Sequence, residues 1–313
     1  MSDPTELTLR LSFFFALGLF VVTAIARRLM RGRPVVIEQE MVPVSGQIDA
    51  AISPYFPPAL EVSAAGPPPL PEEARGIPIR HYRAFDFLWM GFIFMIFGGL
   101  SISSAQAVGS DVGAKIDVNV LVISIGFQLI IALATVAVVW RRIHPVQWLG
   151  LAWRRWPLVI AIAPFTVLSM WAVFAGIEAA GYSKWLESLG VERMQETVKL
   201  LQDSTDPTIL VLMAVTAVLV APVCEELVFR GYLYPAAKRF AGPWVAGICT
   251  ALVFGAAHGS LAALLPLFLF GLVLVFLYEK TGSIWAPMAA HFCFNGLTVL
   301  IQMLDRVYHF TPQ

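Results

Sequence analysis

The feature that most constrains this chain is a series of eight long apolar stretches. They cover approximately residues 11–26, 85–104, 118–140, 157–178, 207–229, 244–257, 261–278 and 284–303. Only 13% of the residues are charged, against about a quarter in soluble domains. A transmembrane helix needs about 20 predominantly apolar residues. The pattern therefore predicts an all-α polytopic membrane protein with about eight transmembrane helices in a lipid bilayer.

Charged residues predict how these helices are oriented. Arginine and lysine side chains cluster in alternate connections, which the positive-inside rule places in the cytoplasm. Eight spans then put both termini outside. Asp3 and Glu6 precede the first apolar stretch and arginines follow it, the reverse of a signal peptide. We therefore interpret residues 1–33 as an uncleaved transmembrane anchor. The net charge of zero gives no indication of a nucleic-acid partner.

Differences in composition divide the rest of the chain into three regions. Residues 34–83 are rich in proline and predict a disordered cytoplasmic linker. Residues 84–206 contain helices 2–4 and an external loop, in which 179–206 predicts a short interfacial helix. Residues 207–313 hold the remaining spans. Two of their apolar stretches, 244–257 and 261–278, are short and adjacent, so the pattern fits a hairpin or re-entrant pair as well as two full spans.

Two adjacent glutamates end one apolar stretch, in APVCEELVFR (221–230). A carboxylate in hydrocarbon is costly and indicates function. Glu226 and Arg230 are four residues apart and can pair on one helical face. Glu225 is rotated by about 100° from Glu226 and cannot easily share that arginine. The spacing predicts that Arg230 neutralises Glu226 and that Glu225 is free for chemistry. The alternative is that both glutamates anchor the end of the span at the water interface.

Two of the five histidines occur inside late apolar stretches. His258 lies in LVFGAAHG and His291 in MAAHFCFNG, with Asn295 one helical turn after His291. Together with Glu225 these side chains could place acid, base and hydrogen-bond donors in one cavity. The alternative is hydrogen bonding between helices. Ser260 is adjacent to His258, but neighbouring residues on a helix do not face each other, and the sequence has no GxSxG, HExxH or P-loop motif.

Three linked motifs carry a resemblance to a known family. EELVFR (225–230) matches EExxxR, FGAAH (254–258) matches FxxxH, and HFCFN (291–295) matches HxxxN. In order and spacing they resemble the CPBP family of intramembrane proteases, which includes the type II CAAX prenyl endopeptidases and the bacterial Abi-type, bacteriocin-processing proteins. The resemblance covers about the last third of the chain, residues 210–304. It implies that residues 207–313 are the catalytic helices.

The resemblance also implies a role for each matching residue. Glu225 and His258 activate a water that attacks a peptide carbonyl, and His291 and Asn295 stabilise the oxyanion. Glu226 and Arg230 hold the helix and its cavity, and Phe254 supports them as part of the FxxxH motif. The implied protein is an intramembrane endopeptidase of a bacterial inner membrane, with its active site open to the cytoplasm. Its substrate is a membrane-associated peptide or protein, with or without a lipid group, and it needs no cofactor.

Three alternatives remain open from the residues. In the first, Glu225, His258 and His291 bind one Zn²⁺ ion, since three N and O ligands plus water suit catalytic zinc. In the second, the polar cluster only holds helices together in a membrane scaffold or chaperone. In the third, Glu225 relays protons in a transporter, although no inverted repeat is visible in the sequence.

Overall fold

The computed structural model describes residues 4–30, 77–79, 81–108, 117–153, 155–191 and 196–308. Within these ranges every regular element is a helix. The predicted all-α fold is therefore confirmed, and the chain is an integral membrane protein.

The helices of the described residues are numbered in chain order. The first seven are α1 (Pro4–Met30), α2 (Asp86–Val108), α3 (Val118–Trp140), α4 (Pro145–Trp148), α5 (Val159–Ala179), α6 (Tyr182–Ser188) and α7 (Glu196–Asp203). A continuous helix, Pro207–Ala241, comes next. It consists of α8 (Pro207–Val215), a π-helical segment (Thr216–Val220), α9 (Ala221–Glu225), a second π-helical segment (Glu226–Leu233) and α10 (Tyr234–Ala241). The last three helices are α11 (Pro243–Ala256), α12 (Leu261–Thr281) and α13 (Trp285–Tyr308).

In the described part of the chain, seven helices are long and apolar enough to cross a membrane. The predicted stretch 244–257 forms α11, which has only 14 residues and is shorter than the roughly 20 needed to span the hydrocarbon core. Of the roughly eight predicted spans, seven therefore have spanning length among the described residues, and the stretch 244–257, whose pairing with 261–278 was left open, is one short helix between the fifth and the sixth.

Glycines and one cap explain why α11 is short. Gly242 before it has φ 87° and Gly259 after it has φ 66°, in the region that glycine adopts without a steric penalty. Ser260 caps the N-terminus of α12 by accepting a hydrogen bond from the backbone N–H of Ala263. This cap is the structural role of the serine that follows His258 in the sequence. α12 itself has 21 residues, so only the first of the two adjacent stretches is short.

Two prolines explain the π-helical segments of the long helix. A proline inside a helix removes an N–H donor and its ring clashes with a carbonyl one turn earlier. Pro222 and Pro235 each follow a π-helical segment by two residues. The N–H of Ala221 donates to Thr216 and that of Tyr234 donates to Phe229, both five residues back. The widened turns accommodate the prolines without breaking the helix, and such turns are frequent at functional sites.

The predicted N-terminal anchor is packed into the bundle. α1 contacts α2, α10 and α11. The Phe13 and Phe94 rings meet edge to face at 5.3 Å between centroids. The Cys249 thiol of α11 donates to the backbone carbonyl of Ala16 in α1 at 3.3 Å. The first helix therefore lies against the helices that follow Pro207.

The predicted linker lies mostly outside the described residues, since of the range 34–83 only 77–79 and 81–83 are described. Ile77 and Tyr82 in that part are buried. The Tyr82 hydroxyl donates to the carbonyl of Gly231 at 2.9 Å, and the Trp148 indole N–H donates to the same oxygen at 2.7 Å. Pro235 deprives this carbonyl of its usual donor four residues later, so the two side chains replace it. The packed part of the chain thus resumes within the predicted linker, before residue 83.

The predicted external segment 179–206 contains two short helices, α6 and α7, where one was predicted. The Tyr182 hydroxyl of α6 donates to the carbonyl of Leu261 at 3.0 Å. This contact fixes α6 against the first turn of α12.

Gly255, the second residue of the FxxxH motif, brings α11 and α12 together. A Cβ atom at this position would lie 2.8 Å from the Leu264 carbonyl oxygen and 3.0 Å from the Phe268 nitrogen. Both are backbone atoms, which cannot move aside as a flexible side chain would. The close approach therefore depends on glycine.

We expect Gly255→Ala to destabilise the protein by about 1–3 kcal/mol, because overpacking forces the backbones of α11 and α12 apart. Gly126 of α3 is the matched control, since a Cβ there meets nothing within 4 Å. Gly126→Ala should leave stability unchanged or raise it by up to about 1 kcal/mol through helix propensity. Thermal unfolding of the purified proteins in detergent measures both, and equal unfolding temperatures for the two variants would contradict the packing argument.

Candidate active site

The two adjacent glutamates lie where α9 passes into the second π-helical segment. The Glu226 and Arg230 side chains are almost completely buried, at 0% and 1% exposure, and the Glu225 side chain is 20% exposed. Consecutive residues on one helix therefore occupy different surroundings. Glu226 points into the bundle and Glu225 reaches a more accessible position.

Glu226 is the centre of a buried polar cluster. Its Oε1 atom accepts a hydrogen bond from Arg230 Nη1 at 3.0 Å, as the spacing of four residues predicts. The same oxygen also contacts Nδ1 of His291 at 2.8 Å. Arg230 Nη2 donates to the carbonyl of Gly271 at 3.3 Å, and the guanidinium carbon lies 4.4 Å from the centre of the Phe254 ring. Arginine favours such combined stacking and hydrogen bonding.

His291 joins the two glutamates. Its ring is buried at 3% exposure, and its Nε2 atom lies 3.8 Å from Glu225 Oε2. Because an ionised carboxylate only accepts hydrogen bonds, Nδ1 carries the proton that is donated to Glu226. A second proton on Nε2 would make an imidazolium between two carboxylates. Two carboxylates, one guanidinium and one imidazolium then have no net charge, which limits the cost of burying them.

Glu225 has a carboxylate oxygen without a donor. Its Oε2 atom is buried and receives no hydrogen bond from the described residues. Most buried polar atoms in folded proteins are satisfied. Glu226 Oε2 and Arg230 Nε also lack a partner among the described residues, but of the three side chains only that of Glu225 is partly exposed. The distance of 3.8 Å to His291 is too long for a hydrogen bond. The oxygen is therefore free to accept a proton from a reacting group.

His258 lies at the end of α11 with an exposed ring. Its Nδ1 atom contacts the carbonyl of Phe254 at 2.8 Å. A carbonyl oxygen only accepts, so Nδ1 carries the proton and Nε2 keeps its lone pair for accepting another. The Phe254 ring packs edge to face on His258 at 5.1 Å and on His291 at 5.9 Å. Phe254 thus separates the two histidines and contacts both.

The long helix explains how His258 reaches the level of the glutamates. From Glu226 the chain continues for about 22 Å to Ala241, and α11 returns by about 24 Å from Gly242 to His258, at 1.5 Å per residue. Arg230 is one turn after Glu226 on this path, and Phe254 is one turn before His258. Since Arg230 stacks on Phe254, His258 lies near the level of Glu226.

Asn295 satisfies a backbone carbonyl that Pro222 leaves without a donor. The Ala221 N–H is used by Thr216, and Pro222 has no N–H to donate to Ala217 five residues earlier. Asn295 Nδ2 donates to this Ala217 carbonyl at 2.8 Å. An amide nitrogen has two hydrogens, so the second remains for another acceptor. Asn295 connects α13 to the first π-helical segment.

We expect Asn295→Ala to destabilise the protein by about 1–3 kcal/mol, because the Ala217 carbonyl loses its donor. In the Asn295→Ala background, Pro222→Ala should recover part of this loss by restoring a backbone N–H. Thermal unfolding of the two single variants and the double variant in detergent gives the coupling free energy between Asn295 and Pro222. Strictly additive effects would show that Pro222 does not create the need for Asn295.

Two residues of the cluster carried no signal recognised in the sequence. Phe270 is fully buried and packs edge to face on His291 at 5.4 Å. Gly271 accepts from Arg230, and a Cβ there would lie 3.1 Å from Ala251 and 3.3 Å from Phe254. An isolated glycine inside a helical apolar stretch often has a packing reason, and Gly271 could have been found in that way.

The zinc alternative requires Glu225, His258 and His291 to surround one ion. In the part of the chain that the structure describes, no three His, Cys, Asp or Glu side chains are grouped in a way that could hold a metal ion. These three residues therefore do not fit a zinc site in this arrangement.

Comparison with known proteins finds a family match over the segment that contains this cluster. Residues 207–297 match a family model described as "Type II CAAX prenyl endopeptidase Rce1-like". The resemblance to this family is therefore confirmed. The matched residues of this chain, 207–297, include the four predicted catalytic positions. These are Glu225, His258, His291 and Asn295.

Two curated relatives are similar over part of their length. "Putative membrane peptidase YdiL" of Bacillus subtilis is 29% identical over 140 residues, which cover 43% of this chain and 56% of that protein. "Uncharacterized 24.3 kDa protein" of Escherichia coli is 28% identical over 154 residues, which cover 45% of this chain and 68% of that protein. The chain thus spans a little over half the length of the first relative. No solved structure matches this chain.

Proposed function

We propose that this chain is an intramembrane endopeptidase that hydrolyses a peptide bond with a water activated by Glu225 and His258. The observation that carries the proposal is the Glu225 carboxylate: one oxygen is buried, has no donor among the described residues and faces His291 Nε2 at 3.8 Å. The family match over residues 207–297 supports a protease.

In the proposed reaction, Glu225 and His258 act on the water. One of its protons passes to the Glu225 carboxylate, while the second hydrogen is oriented by the lone pair of His258 Nε2. The water oxygen attacks the peptide carbonyl carbon and forms a tetrahedral oxyanion. Glu225 then returns its proton to the departing amine as the carbon–nitrogen bond breaks. A positioned general base contributes about 10²–10⁴-fold to such a step.

His291 and Asn295 are the proposed oxyanion donors. With Nδ1 donating to Glu226, a proton on Nε2 of His291 faces the reacting position beside Glu225. The second amide hydrogen of Asn295 remains after the bond to Ala217. One oxyanion donor is worth about 2.7–4 kcal/mol in other hydrolases. Glu226 and Arg230 hold His291 in place and neutralise the cluster.

The proposed substrate is a peptide or protein at the membrane, with or without a lipid group. The cluster lies between α9, α11 and α13, within the membrane-embedded helices. It therefore favours substrates that are themselves held at the membrane, where the bilayer raises their local concentration. The basic residues at alternate connections support placing the site toward the cytoplasm of a bacterial inner membrane. A scaffold or chaperone remains the second candidate, favoured by the extensive structural bonds of Glu226, Arg230 and Asn295.

The test is cleavage of a membrane-tethered reporter peptide by the purified full chain in detergent. Peptides with and without a C-terminal prenyl group show whether lipidation is required. Each reaction is run with and without a zinc chelator. Cleavage that survives the chelator supports the glutamate mechanism, whereas loss with recovery on adding Zn²⁺ supports the zinc alternative. No cleavage of either peptide, under conditions in which the protein is folded, supports the scaffold.

A further inference from the structure

A large apolar groove lies between α1, α2, α10 and α11, away from the candidate active site. Its volume is about 970 Å³, at the upper end of the range for small-molecule pockets. Phe20, Phe87, Met90 and Phe94 contribute to its walls. Two of the four helices, α1 and α2, precede the segment that matches the family model. The groove is therefore built in part by the N-terminal region of this chain.

One end of this groove is strongly basic. Arg27 and Arg28 of α1 and Arg239 of α10 line it, and no carboxylate is among the described lining residues. Arg27 lies directly on the turn between α10 and α11, because a Cβ atom at Gly242 would come within 1.8 Å of its Nη1 atom. Three cations thus surround the polar end of a hydrocarbon-lined groove.

We propose that this groove binds an anionic glycerophospholipid, with its phosphate on the three arginines and its acyl chains on the phenylalanine-lined wall. Basic pockets between transmembrane helices on the cytoplasmic side bind anionic head groups in this way. Arginine also forms bidentate hydrogen bonds with phosphate. A neutral prenyl chain would use the apolar wall and leave the three arginines without an anionic partner in the groove, so the charge favours the phospholipid.

The bound lipid would fix α1 to the helix that carries His258. α1 already contacts α11 through the Cys249 thiol and the Ala16 carbonyl. Val253 of α11 lines the groove, while the next residue, Phe254, contacts both histidines. The lipid site and the candidate active site thus use different faces of α11. Lipid binding at the groove does not depend on whether the protein is a protease.

The experiment measures phospholipid binding to the delipidated full chain by native mass spectrometry. The probes are phosphatidylglycerol and phosphatidylcholine with the same acyl chains. We expect phosphatidylglycerol to bind more tightly, and each arginine removed to weaken it about fivefold, from roughly 1 kcal/mol per basic residue. Arg27→Gln with Arg28→Gln should therefore weaken it about 20- to 30-fold. Arg141 is exposed at the end of α3 and does not line the groove, so Arg141→Gln should have no effect.

A second pair of variants tests the apolar wall without changing charge. Gly91 lines the groove and Gly99 lies two turns further along α2 outside it, and a Cβ at either position meets nothing within 4 Å. Gly91→Phe should fill the groove and weaken phosphatidylglycerol at least tenfold, while Gly99→Phe should not. Equal binding of the two lipids, or equal binding to the two glycine variants, would overturn the proposal. Displacement of phosphatidylglycerol by a farnesylated peptide, with unchanged peptide binding in the arginine variants, would instead identify the groove as a prenyl site.

Discussion

Glu225→Gln is expected to abolish peptide hydrolysis and to leave the abundance and thermal stability of the protein nearly unchanged. The substitution keeps the size of a side chain that is partly exposed and receives no hydrogen bond at Oε2 from the described residues. It removes the carboxylate that takes the proton from water. We expect a fall of about 10²–10⁴-fold in turnover, the contribution of a general base, measured with the membrane-tethered reporter.

The His258 variant shows whether Glu225 acts with a partner. His258→Ala should lower turnover to a similar extent, and the variant carrying both changes should be little worse than either alone, because residues that act as a unit are not additive. His144 is the control, since it lies outside the cluster as the N-cap of α4, and His144→Ala should retain turnover. Near-normal turnover in His258→Ala would mean that the water-activating pair is wrongly assigned.

The prediction of the site from sequence depended on spacing. The four-residue separation of Glu226 and Arg230 was sufficient to predict their pairing, since such a spacing places two side chains on one helical face. The one-turn separation of His291 and Asn295 predicted a common face in the same way. Spacing could not show that both side chains form hydrogen bonds within the protein. His291 contacts Glu226, and Asn295 donates to the Ala217 carbonyl.

Those bonds depend on contacts between distant parts of the chain. Glu226 and His291 are 65 residues apart, and Asn295 is 78 residues from Ala217. A single sequence shows local periodicity and does not specify which helices become neighbours. The need for Asn295 also depends on Pro222, whose missing N–H leaves the Ala217 carbonyl unpaired. The π-helical segment before Pro222 keeps the helix continuous through this proline.

The length of α11 shows a second limit of prediction from a single sequence. Eight apolar stretches predicted about eight spans and left 244–257 open, because apolarity alone does not distinguish a full span from a short buried helix. Gly242 and Gly259, with their positive φ angles, were visible in the sequence as possible helix ends. The depth of His258 follows from the extension of the preceding helix to Ala241. Burial of α10 within the protein, as at Ala236 and Ala237, allows that helix to continue beyond the length of a single span.

Arg230→Ala is expected to have the largest effect on stability, about 3–5 kcal/mol. Breaking a buried ion pair by removing one partner leaves an uncompensated charge in a low dielectric. Glu226 would then be bonded to His291 alone, in surroundings where both glutamate and arginine are at most 1% exposed. The variant also loses the stacking on Phe254 and the hydrogen bond to Gly271. Abundance in the membrane and thermal unfolding in detergent measure the loss.

Two further variants separate the buried charge from the loss of packing. Arg141→Ala removes an exposed arginine at the end of α3 and should change stability by no more than about 0.5 kcal/mol. Glu226→Gln combined with Arg230→Met removes both charges and keeps most of the volume, so it should be more stable than Arg230→Ala alone. If Arg230→Ala is no less stable than Arg141→Ala, Glu226 does not depend on this arginine. If Glu225→Gln and Arg230→Ala lose abundance equally, the two glutamates serve the architecture of the bundle, and the division of roles between Glu225 and Glu226 is wrong.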